Sequence, residues 1–310
     1  MKVNILMSTY NGQQFLAEQI RSIQDQSYTD WTLFIRDDGS SDNTKEILKD
    51  FERQDSRIHL IDSDKSDNLG VIKSFHKLVN HDRADYYFFS DQDDVWLDNK
   101  ITLTLEEAQK YENQTPLLVY TDLKIVDHEL NVLHESMIKT QSDHANTKLV
   151  QELTENTVTG GTAMINHSLA QLWSDCDGLL MHDWYLALIA SAVGNLIYID
   201  CSTELYRQHG SNVLGARTWS KRMKNWLNPH KLVEKYWWLI GASQSQAKFL
   251  LGLELSEENR NLVENFVFVL EKSFWQRIAI LKKYNLRKNR AFHTLIFRTL
   301  ITTKFGYRRK

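Results

Sequence analysis

The stretch VNILMSTYNGQQFLAEQI, residues 3–20, changes its period partway along. Val3 to Met7 form a short apolar run of the kind that makes a buried strand, and from Phe15 the apolar residues Phe15, Leu16, Ile20 and Ile23 recur at helical spacing. A polar turn, STYNG, joins the two. The same strand, turn and helix then recur. Trp31 to Ile35 is a second strand ending in RDDGSSDNT, where Asp42 or Ser41 can cap a helix carrying Ile47, Leu48 and Phe51. Arg57 to Ile61 is a third strand; after DNLG comes a helix with Ile72, Phe75 and Leu78. The strand Tyr86 to Phe89 and a helix through Leu97, Ile101, Leu105 and Ala108, stopped before Pro116, complete the series. Repeated units of this length predict an α/β fold, a mostly parallel sheet with helices on both faces. Ligands of such sheets bind beyond the carboxyl ends of the strands. STYNG (8–12), DDGS (37–40) and SDQDD (90–94) therefore converge on one rim.

The remainder of the chain reads differently. Of 310 residues, 42% are hydrophobic and 25% charged, a composition that supports one large domain and a smaller one. From about residue 216 the strand signals stop, and Arg217 to Trp226, Lys231 to Leu251 and Glu257 to Lys283 read as helices. After Glu271 there are twelve basic side chains and no acidic one; with a net charge of −3 overall, the first 271 residues carry −15. A cationic segment on an acidic body seeks anionic partners, whereas the body itself repels a long polyanion such as nucleic acid. Cys176 and Cys201 have neither metal spacing nor a paired framework and read as reduced thiols of a cytoplasmic protein. The opening apolar run is too short for a signal peptide, and no stretch reaches the ~18 apolar residues of a membrane span.

Four clusters carry chemistry. Asp91 and Asp93 are two residues apart at the end of a strand, so their side chains leave on one side. Either they hold a hard divalent cation, Mg²⁺ or Mn²⁺, or they form a solvated acidic loop. An EF-hand is excluded by the spacing. In TVTGGTAM (157–164), Gly160 and Gly161 allow a tight turn or a close backbone approach. In LLMHDWYLAL (179–188), Asp183 starts a helix through Leu186, Ile189 and Val193, where the dipole keeps a carboxylate ionised. That position suits an N-cap or a general base. YRQHGSNVLGAR (206–217) concentrates polar groups around His209.

MSTYNGQQFLAEQIRSIQDQSY (7–28), RDDGSSDNT (36–44) and SDQDD, in that order, resemble the family 2 glycosyltransferases over roughly residues 1–215. The resemblance implies a GT-A fold, a nucleotide-sugar donor and a divalent metal, with a catalytic domain over 1–215 and a helical region over 216–310. Within the domain it assigns the donor to 1–115 and the acceptor side to 116–215. Thr9, Tyr10, Asn11, Asp37, Asp38 and Gln92 fall on the donor side, with Arg207 against phosphate charge. Asp91 and Asp93 hold the metal, joined by His209. Gly160, Gly161, Thr162, His182 and Trp184 border the acceptor and donor sugar, and Asp183 deprotonates the acceptor hydroxyl with inversion at the anomeric carbon. His182 stands where the family commonly has an acid. The whole run is most similar to bacterial α-L-rhamnosyltransferases of rhamnose-containing cell-wall polysaccharide, which implies dTDP-β-L-rhamnose as donor and a lipid-linked saccharide at the inner membrane face as acceptor. A UDP-hexose donor, or a nucleotide-sugar-binding protein without turnover, are the alternatives. A sugar nucleotidyltransferase would require a Gly-rich G-x-G-x-R loop that STYNGQQ does not supply. Trp237, Trp238, Phe292 and Phe297 with the basic segment suggest peripheral contact with an anionic membrane; a homodimer or docking onto the catalytic domain is the other reading.

Overall fold

The computed structural model describes residues 1–63, 67–174, 177–208 and 229–308. His209, the expected helix from Arg217 to Trp226, and Cys176 lie outside the described residues.

Strands β1 (Val3–Thr9), β2 (Trp31–Asp37), β3 (Ile58–Leu60) and β4 (Tyr86–Ser90) lie parallel in the order β3-β2-β1-β4. Helices α1 (Leu16–Gln24), α2 (Thr44–Gln54) and α3 (Val71–Val79) make the connections. This is the expected half. Alternation sets the two faces: Val3, Ile5 and Met7 of β1 join one core layer with Ile20, whereas Leu6 joins the other with Phe75 and Leu78. Register sets the rim. Thr9 pairs with Asp37, and Met7 with Ser90, so the polar turns after β1, β2 and β4 emerge side by side.

The second half adds short antiparallel pairings and makes the sheet mixed. Strand β8 (Ala163–Asn166) runs antiparallel to both β4 and β6 (Leu117–Val126); β9 (Asn195–Arg207) runs parallel to β6 and antiparallel to the short β5 (Val95–Trp96), and β7 (Val132–His134) is antiparallel to β6. Four of the eight pairings are antiparallel. An antiparallel strand begins where its neighbour ends. The single turn Gly160–Thr162 that leads into β8 therefore arrives beside the carboxyl end of β4, with Phe88 opposite Met164. Likewise β9 finishes beside the acidic loop, Trp96 pairing with Glu204 and Val95 with Leu205.

The remaining helices are α4 (Lys100–Ala108), α5 (Met137–Gln141), α6 (Leu149–Glu152), α7 (His167–Ala170), α8 (His182–Val193), α9 (Pro229–Phe249), α10 (Glu257–Val267), α11 (Phe274–Lys283) and α12 (Ala291–Thr303). The stretch read as one helix from Glu257 to Lys283 is two, because the chain turns through Val269–Glu271 and restarts at Ser273, which forms a capping box with Gln276. Among the described residues the helical region has no separate core: Ile240, Val263, Phe266, Phe297 and Ile301 belong to the same apolar cluster as α8 and one face of the sheet. Hydrogen bonds follow the same seam. Gln246 Oε1 accepts the N–H groups of Leu180 and Met181 at 3.0 Å each, and Asn259 donates to Ala192 O at 2.8 Å. No described helix is long and apolar enough to cross a membrane.

Candidate active site

At the β1–β2 end of the rim, most of the expected donor-side residues build the wall. Thr9 donates to Asp37 Oδ1 at 3.1 Å, and Asp37 in turn accepts the N–H groups of Gly39 and Ser40 at 3.2 and 2.9 Å. Asp38 accepts from Leu69 N–H at 2.7 Å, Gly70 N–H at 2.8 Å and the Arg36 guanidinium. Burial presses the Asp38 carboxyl upward, but the bonds from Leu69, Arg36 and Gly70 prevail and hold it below the usual carboxylate range. Neither acid caps α2; Asp42, one residue ahead of the N-cap Asn43, accepts Thr44 N–H at 3.0 Å. Asn11, at φ +49°, ties its amide oxygen to Ser41 N–H at 2.9 Å. Gln92 reaches across from the acidic loop, accepting Tyr10 N–H at 2.8 Å and donating to Tyr10 O at 3.0 Å. A Cβ on Gly12 would lie 2.3 Å from Gln92 Oε1, so this clamp requires glycine. The Tyr10 side chain, 51% exposed, is left as an open flat face on this wall.

The acidic loop between β4 and β5 is short of positive charge. Asp94 is buried, with Oδ1 accepting Arg207 N–H at 2.9 Å and Oδ2 unpartnered. Its carboxyl is pushed well above the ordinary range by burial and then by Glu204, Asp93 and Asp91. Asp91 is pushed up to about 8 by burial, Asp93, Glu204 and Asp183, with Lys100 opposing. Lys100, the first residue of α4, is itself fully buried and donates to Glu204 Oε2 at 2.5 Å and to Gly161 O. Burial depresses its ammonium, while Glu204, Asp94 and Asp91 sustain it. Gly161 is glycine for a steric reason: a Cβ there would sit 2.6 Å from Glu204 Oε1. Lys100 and Glu204 escaped the sequence reading. The one visible signal was an acid inside the strand-like run TELYR.

Arg207 is corrected from a phosphate contact to a positioning residue. Its buried guanidinium donates to Asp93 O at 3.0 Å and His128 O at 2.6 Å, pairs with Glu18 and lies 4.4 Å above the Phe15 ring. It fastens the acidic loop to α1 and to the end of β6.

The Gly160 turn and the start of α8 meet on the other side. Asp183 is buried in the first turn of α8 and accepts Trp184 N–H at 2.7 Å, with further bonds from Gly160 N–H and the Asn156 side chain. Burial outweighs these and brings its carboxyl up to about 7. His182 stacks on Trp173 at 6.0 Å and 7°, and lies 4.5 Å from the Phe75 ring. Burial takes its imidazole down to about 3, so it is neutral, and Nε2 is left without a partner against Gly160. Trp184 is corrected: it is core, its indole N–H held by Glu152 O at 2.8 Å, and it offers no face to a sugar. Thr162 is buried too, its hydroxyl bonded to Thr159 O at 2.9 Å.

Asp91 and Asp93 suit a hard divalent cation. They are oxygen donors on one loop, the Asp91 carboxylate receives no hydrogen bond among the described residues, and burial first, then the neighbouring acids, raise its pKa. Among the described residues no three His, Cys, Asp or Glu side chains form a closed metal cage. Two carboxylates with the remaining positions left to phosphate oxygens and water is how Mg²⁺ is usually held.

The model of the family described as Glycosyl transferase family 2 matches residues 4–174. The dTDP-rhamnosyl transferase RfbG of Shigella flexneri is 30% identical over 226 residues, 68% of this chain and 74% of that protein. A UDP-Glc:alpha-D-GlcNAc-diphosphoundecaprenol beta-1,3-glucosyltransferase, WfgD of Escherichia coli, is 32% identical over 108 residues, 35% of this chain and 41% of its own length. S. aureus TarS 1-349, solved in complex with UDP-GlcNAc, aligns over 98% of this chain and 91% of its own with a TM-score of 0.56 at 14% identity, a likeness of fold. With more than half of its length in the family's match and a glycosyltransferase sheet beneath it, the chain belongs to the family 2 glycosyltransferases and has their GT-A fold.

Proposed function

We propose that this glycosyltransferase moves L-rhamnose from dTDP-β-L-rhamnose to a hydroxyl of a lipid-linked saccharide, with inversion, in cell-wall polysaccharide synthesis. The observation that carries the catalytic reading is the position of Asp183: first turn of a 12-residue helix, bonded to the Gly160 turn and within the field of Asp91. In one displacement the acceptor oxygen bonds to the anomeric carbon, the bond from that carbon to the diphosphate oxygen breaks, and Asp183 takes the hydroxyl proton. Tyr10 stacks on the nucleobase, and the Gln92 clamp keeps the Tyr10 and Asp91 loops in register. Asp91 and Asp93 hold the divalent cation, which when bound supplies positive charge against the departing diphosphate. Likeness to a dTDP-rhamnosyl transferase supports the donor, and the diphosphoundecaprenol substrate in the glucosyltransferase's name supports a lipid-linked acceptor. A UDP-hexose donor is the second reading, favoured by that enzyme and by TarS with UDP-GlcNAc.

Release of nucleotide diphosphate from dTDP-rhamnose, UDP-glucose, UDP-galactose and UDP-N-acetylglucosamine, with a lipid-linked acceptor, Mn²⁺ or Mg²⁺, and EDTA controls, tests this directly. Preference for dTDP-rhamnose is expected; preference for a UDP-sugar overturns the donor assignment. Asp93→Asn is expected to raise the metal concentration for half-maximal turnover about 10- to 100-fold and to weaken donor binding with it. An unchanged metal titration would remove Asp93 from the ligand set. A base must be ionised to accept a proton, so log kcat/KM is expected to rise with pH toward about 7, the Asp183 value, and then level off. A profile flat from about pH 5.5 to about pH 8.5 excludes Asp183 as the base.

A further inference from the structure

Five of the six exposed aromatic side chains among the described residues of the helical region form the patch: Trp275 is 76% exposed, Phe305 64%, Trp238 54%, Phe274 44% and Tyr307 38%. Three ties gather the segments that carry them. Arg277 Nε and Nη2 donate to Thr302 O at 3.1 and 2.7 Å while Nη1 donates to Lys272 O at 2.6 Å, which fastens the turn entering α11 to the last turn of α12. Trp237 Nε1 donates to Phe305 O at 2.9 Å and its ring lies 4.9 Å from Tyr307, which fastens the tail to α9. Gly306, at φ +70°, comes so close that a Cβ would lie 2.8 Å from Val233 Cγ1. The exposed aromatics are thereby interleaved with Lys272, Lys304 and Arg308; Glu234 and Glu271 are the acids nearest in sequence to these segments. The residues expected from sequence are partly replaced. Phe297 is core, Trp237 is half-buried with its N–H committed, and Phe292 is exposed at the opposite end of α12.

We propose that this end of the helical region, Lys272–Trp275 with Lys304–Arg308 and Trp238, is a contact surface for an anionic lipid bilayer. The inference rests on the lipid-linked acceptor proposed above. Exposed apolar patches rimmed by charge mark interaction sites, and aromatic rings with basic neighbours suit the boundary between headgroups and acyl chains. Each Lys or Arg held near an anionic leaflet strengthens partitioning about five-fold. No described helix is both long and apolar enough to cross a membrane, and the proposed contact is with the bilayer surface. A second copy of this chain is the poorer occupant, because a two-fold interface would oppose a basic cluster with its own image.

Flotation of the whole protein with phosphatidylcholine vesicles, with and without about 30% phosphatidylglycerol, tests the surface. Binding is expected only to the anionic vesicles and to be released by about 0.5 M salt. Trp275→Ser/Phe305→Ser is expected to weaken it at least about tenfold, and Lys272→Gln/Lys304→Gln/Arg308→Gln to abolish its dependence on anionic lipid. Lys272, Trp275, Phe305 and Arg308 are exposed and Lys304 half-buried, and unchanged circular dichroism checks that the variants fold. Absence of wild-type binding, or binding that the variants do not change, overturns the proposal; so does a dimer in solution that Trp275→Ser/Phe305→Ser disperses. Sugar transfer to a water-soluble acceptor, measured in the same preparations, reports the proposed function separately. Transfer without flotation sinks the surface alone, and flotation without transfer to either acceptor counts against the function alone.

Discussion

Asp183→Asn is expected to lower kcat by about 10²- to 10⁴-fold while leaving nucleotide-sugar affinity within about threefold. Asparagine keeps a carbonyl oxygen for Trp184 N–H and fills the same space, so the start of α8 survives and only the proton acceptor is lost. Stability gives an independent check with a defined sign. The Asp183 carboxyl rises from its ordinary 3.8 to about 7 on folding, so between those values the native state binds more protons than the unfolded chain and stability falls as pH rises. Removing the charge relieves that penalty, and the metal-free variant should melt higher than wild type at about pH 8. Near-wild-type turnover, by stopped assay of released diphosphate, ends the base assignment. A lower melting temperature at that pH means that burial does not strain the carboxylate.

The second large effect is expected at Lys100. Lys100→Met leaves Glu204 buried without its cation and frees Gly161 O, and breaking one side of such a pair costs about 3–5 kcal/mol. Urea unfolding at neutral pH measures it. Lys100→Met/Glu204→Gln removes both charges and should recover more than half of the loss, which keeps the test open if the single variant fails to fold. A single-variant cost below about 1 kcal/mol would mean that water reaches the pair.

The parallel half of the fold was legible because its signals are local: an apolar run, a polar turn and helical spacing all fall within about 25 residues, as in VNILMSTYNGQQFLAEQI. Strand β9 was not. Its polar residues Ser202, Thr203 and Glu204 break any alternation, and what makes it a strand is pairing with β6, some eighty residues away, as in Leu118 with Leu196. The site divided in the same way. Asp91, Asp93, Asp183 and Gly161 could be picked out by residue type and order, and the sheet brings their loops together. What each does with its neighbours was hidden: burial decides that His182 is neutral, that Trp184 is core, and that Arg207 serves Glu18 and two carbonyls. Lys100 was the hardest to see, since lysine is normally at the surface and nothing local in LDNKITL announces a buried partner a hundred residues on.

Gln246 bears on how such enzymes can be recombined. It sits in α9, yet its side-chain oxygen is the acceptor for two peptide N–H groups, those of Leu180 and Met181, three and two residues ahead of Asp183. A chimera that joins residues 1–208 of this chain to another relative's helical region must bring an acceptor to that position. Otherwise two part-buried peptide N–H groups directly upstream of Asp183 lose their acceptor. The helical region therefore cannot be exchanged at the obvious seam alone; the graft has to carry the Gln246 contact across it.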